Sequence, residues 1–509
     1  MKFLFALIFL PICLFSQDIN QIFSEKGEIY FSFEYKNKNI LNKISKIVSL
    51  DHKINKEEGF AYANKREFSK FLELNIDYKI LNKRKVVLEK SKNNWDYYPT
   101  YSEYVEMMEN FADSFPHICK LHRTDMLNSG REILFIEISK NIGIKENEPS
   151  FLYTSSMHGD ELTGYVLMLR LIDDILNSYG NNTYITSLVD NIDIWINPLA
   201  NPDGAYAGGN SNVLGATRSN ANFIDLNRNY PDPQDGQHPD GNSWQEETVI
   251  FMGLADTVNF NLASNLHTGS VVANYPWDTW SNLPADLIWW QHVCNEYADT
   301  CQQYGNSNYF TGFDNGITNG YDWYEVDGGR QDYSNYFKHS REFTLELSNN
   351  KTPNSNTLPY YWNANVNSFY NFMEQSLYGL TGIITDSVNG LPIKAFVEVI
   401  NHDFDSSQVY SSLPIGNYHR YLYQGSYQIK FSKAGYHTKI KNISILNNNS
   451  TVKDIQLVPL SFVGINEKNI SQNYLGKLNI LGKKVNTNKN NITIEKKSDG
   501  TINKTIIIN

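Results

Sequence analysis

An unbroken, largely apolar run, Phe151-Leu-Tyr-Thr-Ser-Ser156, passes through His158-Gly-Asp-Glu161 into a segment with apolar residues at Leu162, Val166, Leu169, Ile172 and Leu176. The first run has the length of a buried strand. The second keeps the 3.6-residue period of a helix with one apolar face. This places Glu161 in the first turn of the helix and His158 just before it. A loop histidine and a carboxylate three residues later can converge on one metal ion. A third protein ligand then leaves one tetrahedral position for water.

His267 supplies that third position. It follows the partly apolar run Phe260–Leu266 and precedes Thr268-Gly269, a strand end of the kind where ligands gather in open α/β sheets. Taken alone, H-x-x-E is more often a polar pair at a helix start, and a lone histidine is more often a satisfied core residue. Between these segments lies Arg218-Ser-Asn-Ala-Asn-Phe-Ile-Asp225-Leu-Asn227-Arg228-Asn229-Tyr-Pro. A guanidinium binds a carboxylate through a planar fork, so Arg228 beside the Asn227 amide suits a substrate carboxylate, and Arg218 is left for another oxygen. Either arginine alone reads as a solvated surface charge.

The chain here resembles the zinc carboxypeptidases of the carboxypeptidase A/B superfamily, and more closely their regulatory branch of carboxypeptidases E, N and D. The resemblance rests on an ordered set: His158-Gly-Asp-Glu161, Asn197-Pro-x-x-Asn201-Pro-Asp-Gly204, Asp225-Leu-Asn-Arg228-Asn, His267, Ala273-Asn-Tyr-Pro-Trp-Asp278, Gly316-Ile-Thr-Asn-Gly320, Trp323-Tyr324 with Gly328-Gly-x-Gln331-Asp332-Tyr, and Thr344-Leu-Glu346-Leu-Ser-Asn-Asn-Lys. It implies an α/β fold with a mixed central sheet flanked by helices, and one Zn2+ held by His158, Glu161 and His267. It also implies that Glu346 is the general base, Arg218 stabilises the oxyanion, and Asn227, Arg228 and Tyr324 hold a C-terminal carboxylate. Asp225 matches an acceptor for the second nitrogen of His158. Asp278 and Gln331 match positions of the side-chain pocket, where an acidic residue accompanies a preference for C-terminal Lys or Arg. Asp160 departs from the arginine of the pancreatic members, and Trp277-Asp-Thr-Trp280 with Trp289-Trp290 has no counterpart in the pattern.

The chemistry agrees with these roles. Zinc lowers the pKa of bound water to about 7, so a nearby carboxylate suffices as base. A guanidinium where negative charge develops is worth on the order of a hundredfold in rate. An imidazole ligand usually donates its other N–H to a carboxylate, the use implied for Asp225. Two plainer readings stand beside these: Phe343–Leu347 alternates as a half-buried strand with Glu346 facing solvent, and Asp278 caps a turn after Pro276-Trp277.

At 509 residues the chain is too long for one core. Met1-Lys2, the apolar run Phe3–Phe15 and Ser16 have the form of a secretory signal over 1–16, too short to span a bilayer. No later run predicts a membrane helix. The net charge of −11, without a basic block, argues against nucleic acid as partner and mildly favours cationic peptides. Cys13 leaves with the signal, and Cys119, Cys294 and Cys301 remain. Cys294 and Cys301 pair only if no continuous helix joins them, because seven helical residues hold them about 10 Å apart.

Residues 17–90 read as strand (28–35), helix (40–48), two short extended pieces, helix (65–74) and strand (78–81), a split βαβ order. This looks like the inhibitory prosegments of pancreatic carboxypeptidase precursors, with Asn82-Lys-Arg-Lys85 as cleavage linker; a permanent accessory domain is the other reading. The catalytic region spans 91–377. Residues 378–459 read as short alternating strands of a small β-sandwich, resembling the transthyretin-like domain of the regulatory branch. The tail, 460–509, carries Leu475-Gly-Lys-Leu-Asn-Ile-Leu-Gly-Lys-Lys-Val and Asp499-Gly-Thr-Ile-Asn-Lys. It looks like a type IX secretion sorting region, which makes secretion machinery a partner. The function implied is a secreted zinc metallocarboxypeptidase acting on peptide or protein C-termini through a zinc-promoted water, with Lys or Arg preferred. The alternatives are a peptidoglycan-peptide carboxypeptidase or amidase on the same scaffold, and a catalytically silent peptide-binding surface module.

Overall fold

A computed structural model describes residues 19–51, 57–81 and 95–460, together with the backbone of 492–496 and 502–506. The signal-like segment 1–16, the linker at 82–85 and the Leu475–Val485 motif lie outside the described residues.

An eight-stranded mixed sheet forms the centre. Its order is Ile317–Asn319, Val271–Tyr275, Arg341–Leu347, Leu262–His267, Ser150–Ser155, Asp193–Asn197, Leu134–Ile138 and Cys119–Arg123. The four middle strands, Arg341–Leu347 through Asp193–Asn197, are mutually parallel, and antiparallel pairs flank them. Parallel strands need cover on both faces, and the sequence supplies it by alternation. Phe151 and Tyr153 enter one apolar core with the helices Thr163–Ser178, Leu287–Tyr304 and Leu358–Glu374. Leu152 enters another with Trp195, Phe251 and Tyr333. The carboxyl ends of the middle strands lie together, which brings the segments after Ser155 and the residue His267 to one edge.

Two expectations change in detail, and the question left open for the cysteines is answered. The helix begins at Thr163 with Leu162 as its N-cap, so Glu161 stands in the loop rather than in the first turn. Its backbone N–H closes a turn onto the His158 carbonyl at 3.1 Å, and the Ser156 hydroxyl donates to the Glu161 carbonyl at 2.7 Å. The strand Arg341–Leu347 is buried along its whole length, because neighbours pair on both edges and helices cover both faces. Cys294 and Cys301 lie in one continuous helix and are unpaired and buried.

Residues 28–80 form a four-stranded antiparallel sheet in the order Ser49–Leu50, Glu58–Asn64, Glu28–Glu34, Tyr78–Ile80, with helices Lys38–Ser45 and Lys65–Leu72. A further helix, Ile19–Lys26, precedes them and has no counterpart in the sequence reading. Residues 379–457 form two four-stranded sheets around a separate apolar core. Arg420 joins this part to the central body through Asp286, with Arg341, Asp403 and His402 in the same buried network. The tail contributes one antiparallel pair, Ile492–Lys496 with Ile502–Ile506.

Candidate active site

The loop that carries His158 and Glu161 is held from behind. Gly159 donates to the Arg218 carbonyl at 3.1 Å, and a Cβ at Gly159 would lie 2.2 Å from the Gly204 backbone, so only glycine allows this approach. His267 ends its strand. Glu346 pairs with it in parallel register one strand over.

His158, Glu161 and His267 are buried, and each offers one ligand atom within 4.8 Å of the others. His158 Nδ1 lies 3.0 Å from Glu161 Oε1, and His267 Nδ1 2.9 Å from Glu161 Oε2. The outer ring nitrogens are engaged: His158 Nε2 lies 3.0 Å from Asp225 Oδ1, and His267 Nε2 lies 2.8 Å from the Asn265 amide. Burial lowers the His267 pKa to about 4, which keeps its ring neutral, the form that ligates metal. Burial alone would raise Glu161, but the His158 ring and the Lys351 ammonium outweigh it and hold this carboxyl well below its usual range. Four carboxylates, Glu161, Asp225, Asp160 and Glu346, surround two cations, Arg218 and Lys351. Two imidazoles and one carboxylate fit a divalent zinc ion.

Arg218 is 1% exposed. Its Nε donates to Asp225 Oδ2 at 3.0 Å and its Nη1 to Glu161 Oε1 at 3.2 Å. Asp225 therefore orients both His158 and Arg218. Burial pushes the Glu346 carboxyl well above the usual range, and the Glu161 charge adds to this. Arg228 is buried beside the site. Its Nη1 donates to the Asn227 carbonyl at 2.8 Å, whereas Nε and Nη2 have no hydrogen-bond partner among the described residues. The Asn227 side-chain oxygen accepts the Arg330 N–H at 2.9 Å, and its amide nitrogen is left to donate to a ligand.

Asp278 is buried, accepts from Asn274 Nδ2 at 3.1 Å, and is raised by burial to about 6. Its carboxylate does not close a turn onto the chain that follows. Instead it occupies the space that glycine leaves at Gly320, where a Cβ would lie 1.6 Å from Asp278 Oδ1. Gln331 is 2% exposed, and both its amide atoms lack a partner among the described residues. Tyr324 is buried and packs, with Val326, into the apolar core of residues 22–71.

Two contributors, Asn265 and Glu28, escaped the sequence reading, and a third, Lys351, stood in a quoted motif without a role. Lys351 donates to Glu161 Oε1 at 2.6 Å; it lies in a turn, where no period marks it. Asn265 stands two residues before His267 on the same strand face, a spacing the sequence does show. Glu28 accepts the backbone N–H groups of Arg218 and Ser219 at 3.0 and 3.1 Å, a contact between residues 190 and 191 positions apart in sequence. The Tyr62 ring lies 4.8 Å from Lys351 Nζ and 5.9 Å from the Arg218 guanidinium. Beside it opens a cleft of about 1050 Å³ lined by Tyr30, Asp51, Tyr62, Asp160 and Lys351, among others.

The profile of the zinc carboxypeptidase (peptidase M14) family matches residues 104–368. Carboxypeptidase D of Mus musculus is 34% identical over 385 residues, which cover 71% of this chain and 27% of that protein; the chain thus spans about a quarter of that relative's length. Carboxypeptidase M of Mus musculus is 33% identical over 364 residues, 66% of this chain and 78% of that protein. Among solved structures, carboxypeptidase A from Helicoverpa armigera aligns with a TM-score of 0.54 over 69% of this chain and 98% of its own, at 17% identity, a likeness of fold. With that profile over half of the chain and a relative covered over most of its length, this chain belongs to the zinc carboxypeptidase family of hydrolases.

Proposed function

We propose that the protein removes the C-terminal residue of peptides and prefers Lys or Arg there. The observation that carries this is Arg228, a buried guanidinium with two unpartnered nitrogens close enough to Asp278 and Asp225 to act on their charges. A buried cation left half-satisfied is costly unless a ligand completes it. A planar carboxylate does so through two parallel hydrogen bonds.

Zinc held by His158, Glu161 and His267 would acidify water and polarise the scissile carbonyl. The other roles belong to the chain. Arg228 and the Asn227 amide hold the terminal carboxylate, with Tyr324 closing over it. Asp278 and the Gln331 amide face the substrate side chain, and a buried carboxylate beside an unpartnered amide favours a cation. Glu346 takes a proton from the attacking water and returns it to the leaving amine. Arg218, oriented by Asp225, offsets charge developing on the carbonyl oxygen. Arg228 and Asn227 favour a free α-carboxylate over a peptidoglycan amide bond, and the full set of acid, base and cations favours turnover over silent binding.

Residues 17–90 act as a cap in this reading. Glu28 grips the backbone at Arg218, the Asn42 side chain accepts the Glu325 N–H at 3.4 Å, and Lys46 pairs with Glu325 and Asp327 at 2.9 and 3.0 Å. These contacts fall at Arg218 and next to Tyr324, both candidate site residues, which supports the reading as an inhibitory prosegment. Secretion rests on the signal-like start and the Lys- and Asn-rich tail. Among the described residues, no helix is long and apolar enough to cross a membrane.

The test is release of the last residue from matched peptides ending in Arg, Lys, Phe or Glu, by the full chain and by protein lacking residues 1–90. Chelator-sensitive release of Arg and Lys, stronger in the truncated protein, is expected. Release by neither form would overturn the assignment, and equal release by both would remove the cap.

A further inference from the structure

Lys351 touches both segments that bring metal ligands to the site. Its backbone carbonyl accepts the Leu162 N–H at 2.9 Å, one residue beyond Glu161. The same carbonyl accepts the Thr268 hydroxyl at 2.9 Å, one residue beyond His267. Its side chain returns across this junction, so that Nζ donates to Glu161 Oε1 at 2.6 Å with Asp160 Oδ1 at 3.8 Å. The ammonium is almost fully enclosed, with a side-chain exposure of 10%.

We infer that Lys351 is a positioning residue for the metal: its ammonium fixes the Glu161 carboxylate in the orientation that completes the zinc site. The inference rests on the metallocarboxypeptidase reading and adds to it a residue to which that reading gives no role.

The reason lies in how the two cations are shared. Arg218 reaches Glu161 Oε1 at 3.2 Å, but its Nε is committed to Asp225 and its remaining capacity is needed for substrate oxygen. The Thr268 N–H holds the other oxygen, Oε2, at 3.1 Å. Without Lys351, Oε1 keeps only the longer cationic contact from Arg218, at 3.2 Å. The carboxylate would then rotate or draw Arg218 away from the carbonyl. Groups that orient a ligand from outside typically contribute about 10–100-fold to metal affinity.

Because the carbonyl bonds belong to the backbone, side-chain substitution leaves them in place and isolates the ammonium. The experiment measures the zinc dissociation constant of the full chain by competition with a chromophoric chelator, for wild type, Lys351→Met, Lys351→Gln and Lys351→Arg. Melting of each metal-free protein is followed alongside. The expected result is weaker binding by about 10–100-fold in Lys351→Met and Lys351→Gln, and near-wild-type binding in Lys351→Arg, with unchanged melting of the metal-free forms. If Lys351→Met does not fold, Lys351→Gln against Lys351→Arg decides. Equal zinc affinity in these variants and wild type would overturn the inference while leaving the enzyme assignment standing. Failure of wild type to bind zinc would overturn both.

Discussion

Asp286 accepts both terminal nitrogens of Arg420, at 2.9 and 2.8 Å, across the junction between the mixed sheet and the β-sandwich. Arg341 donates to the same carboxylate at 3.0 Å, and His402 Nε2 lies 2.9 Å from it. Arg420 is 0% exposed and Asp286 4%. Removing one member strands a buried charge, which typically costs about 3–5 kcal/mol. Arg420→Met is expected to lower the melting temperature by that equivalent, and the Arg420→Met/Asp286→Leu double variant to recover part of it.

The same pair gives an acid limit. Burial alone would raise Asp286, but Arg420 and Arg341 overcome it and hold the carboxyl well below its ordinary range. A group depressed in the folded state stabilises above its unfolded pKa, about 3.9, and loses that contribution as pH falls toward the folded value. His419 acts in the same direction, since burial lowers it from 6.5 to about 3. Its contribution is full above 6.5 and declines over that window. Melting measured from pH 7 to pH 3 should therefore fall first below about 6.5, from His419 together with His267, and again below about 4, from Asp286. His419→Phe should flatten the first decline in part.

Glu346→Gln removes the proposed base while keeping shape. A fall of about 10²–10⁴-fold in kcat/KM is expected, with zinc content, read by metal analysis, unchanged.

Arg228→Met removes the proposed fork for the terminal carboxylate. Charge-assisted hydrogen bonds of this kind are worth about 1.5–3 kcal/mol, so KM should rise by about 10–100-fold. Peptides with an amidated C-terminus should lose nothing further in the variant.

Burial raises the Asp278 carboxyl to about 6, and in the proposed pocket only the charged form would attract Lys or Arg. Release of C-terminal Arg should fall below about pH 6 relative to release of Phe. In Asp278→Asn that relative pH dependence should vanish together with the preference.

The sequence determined the elements and the chemistry carried on short segments. Strand and helix periods placed Phe151–Ser156 and the helix after Leu162 because burial of one stripe or two faces is written residue by residue. The order His158, Glu161, Asp225, Arg228, His267, Glu346 named the candidate site residues because each belongs to a local motif. Only the tertiary structure decided what depends on distant contacts. Glu161 lies outside the helix because the loop is pinned by Arg218 and Ser156. Glu346 is fully buried because His267's strand pairs beside it. Lys351 reaches Glu161, and Glu28 reaches the backbone of Arg218, through folding that brings together residues 190 positions apart. No one-dimensional period records such closures, because hydrogen bonds between distant loops impose no repeat on the sequence that makes them.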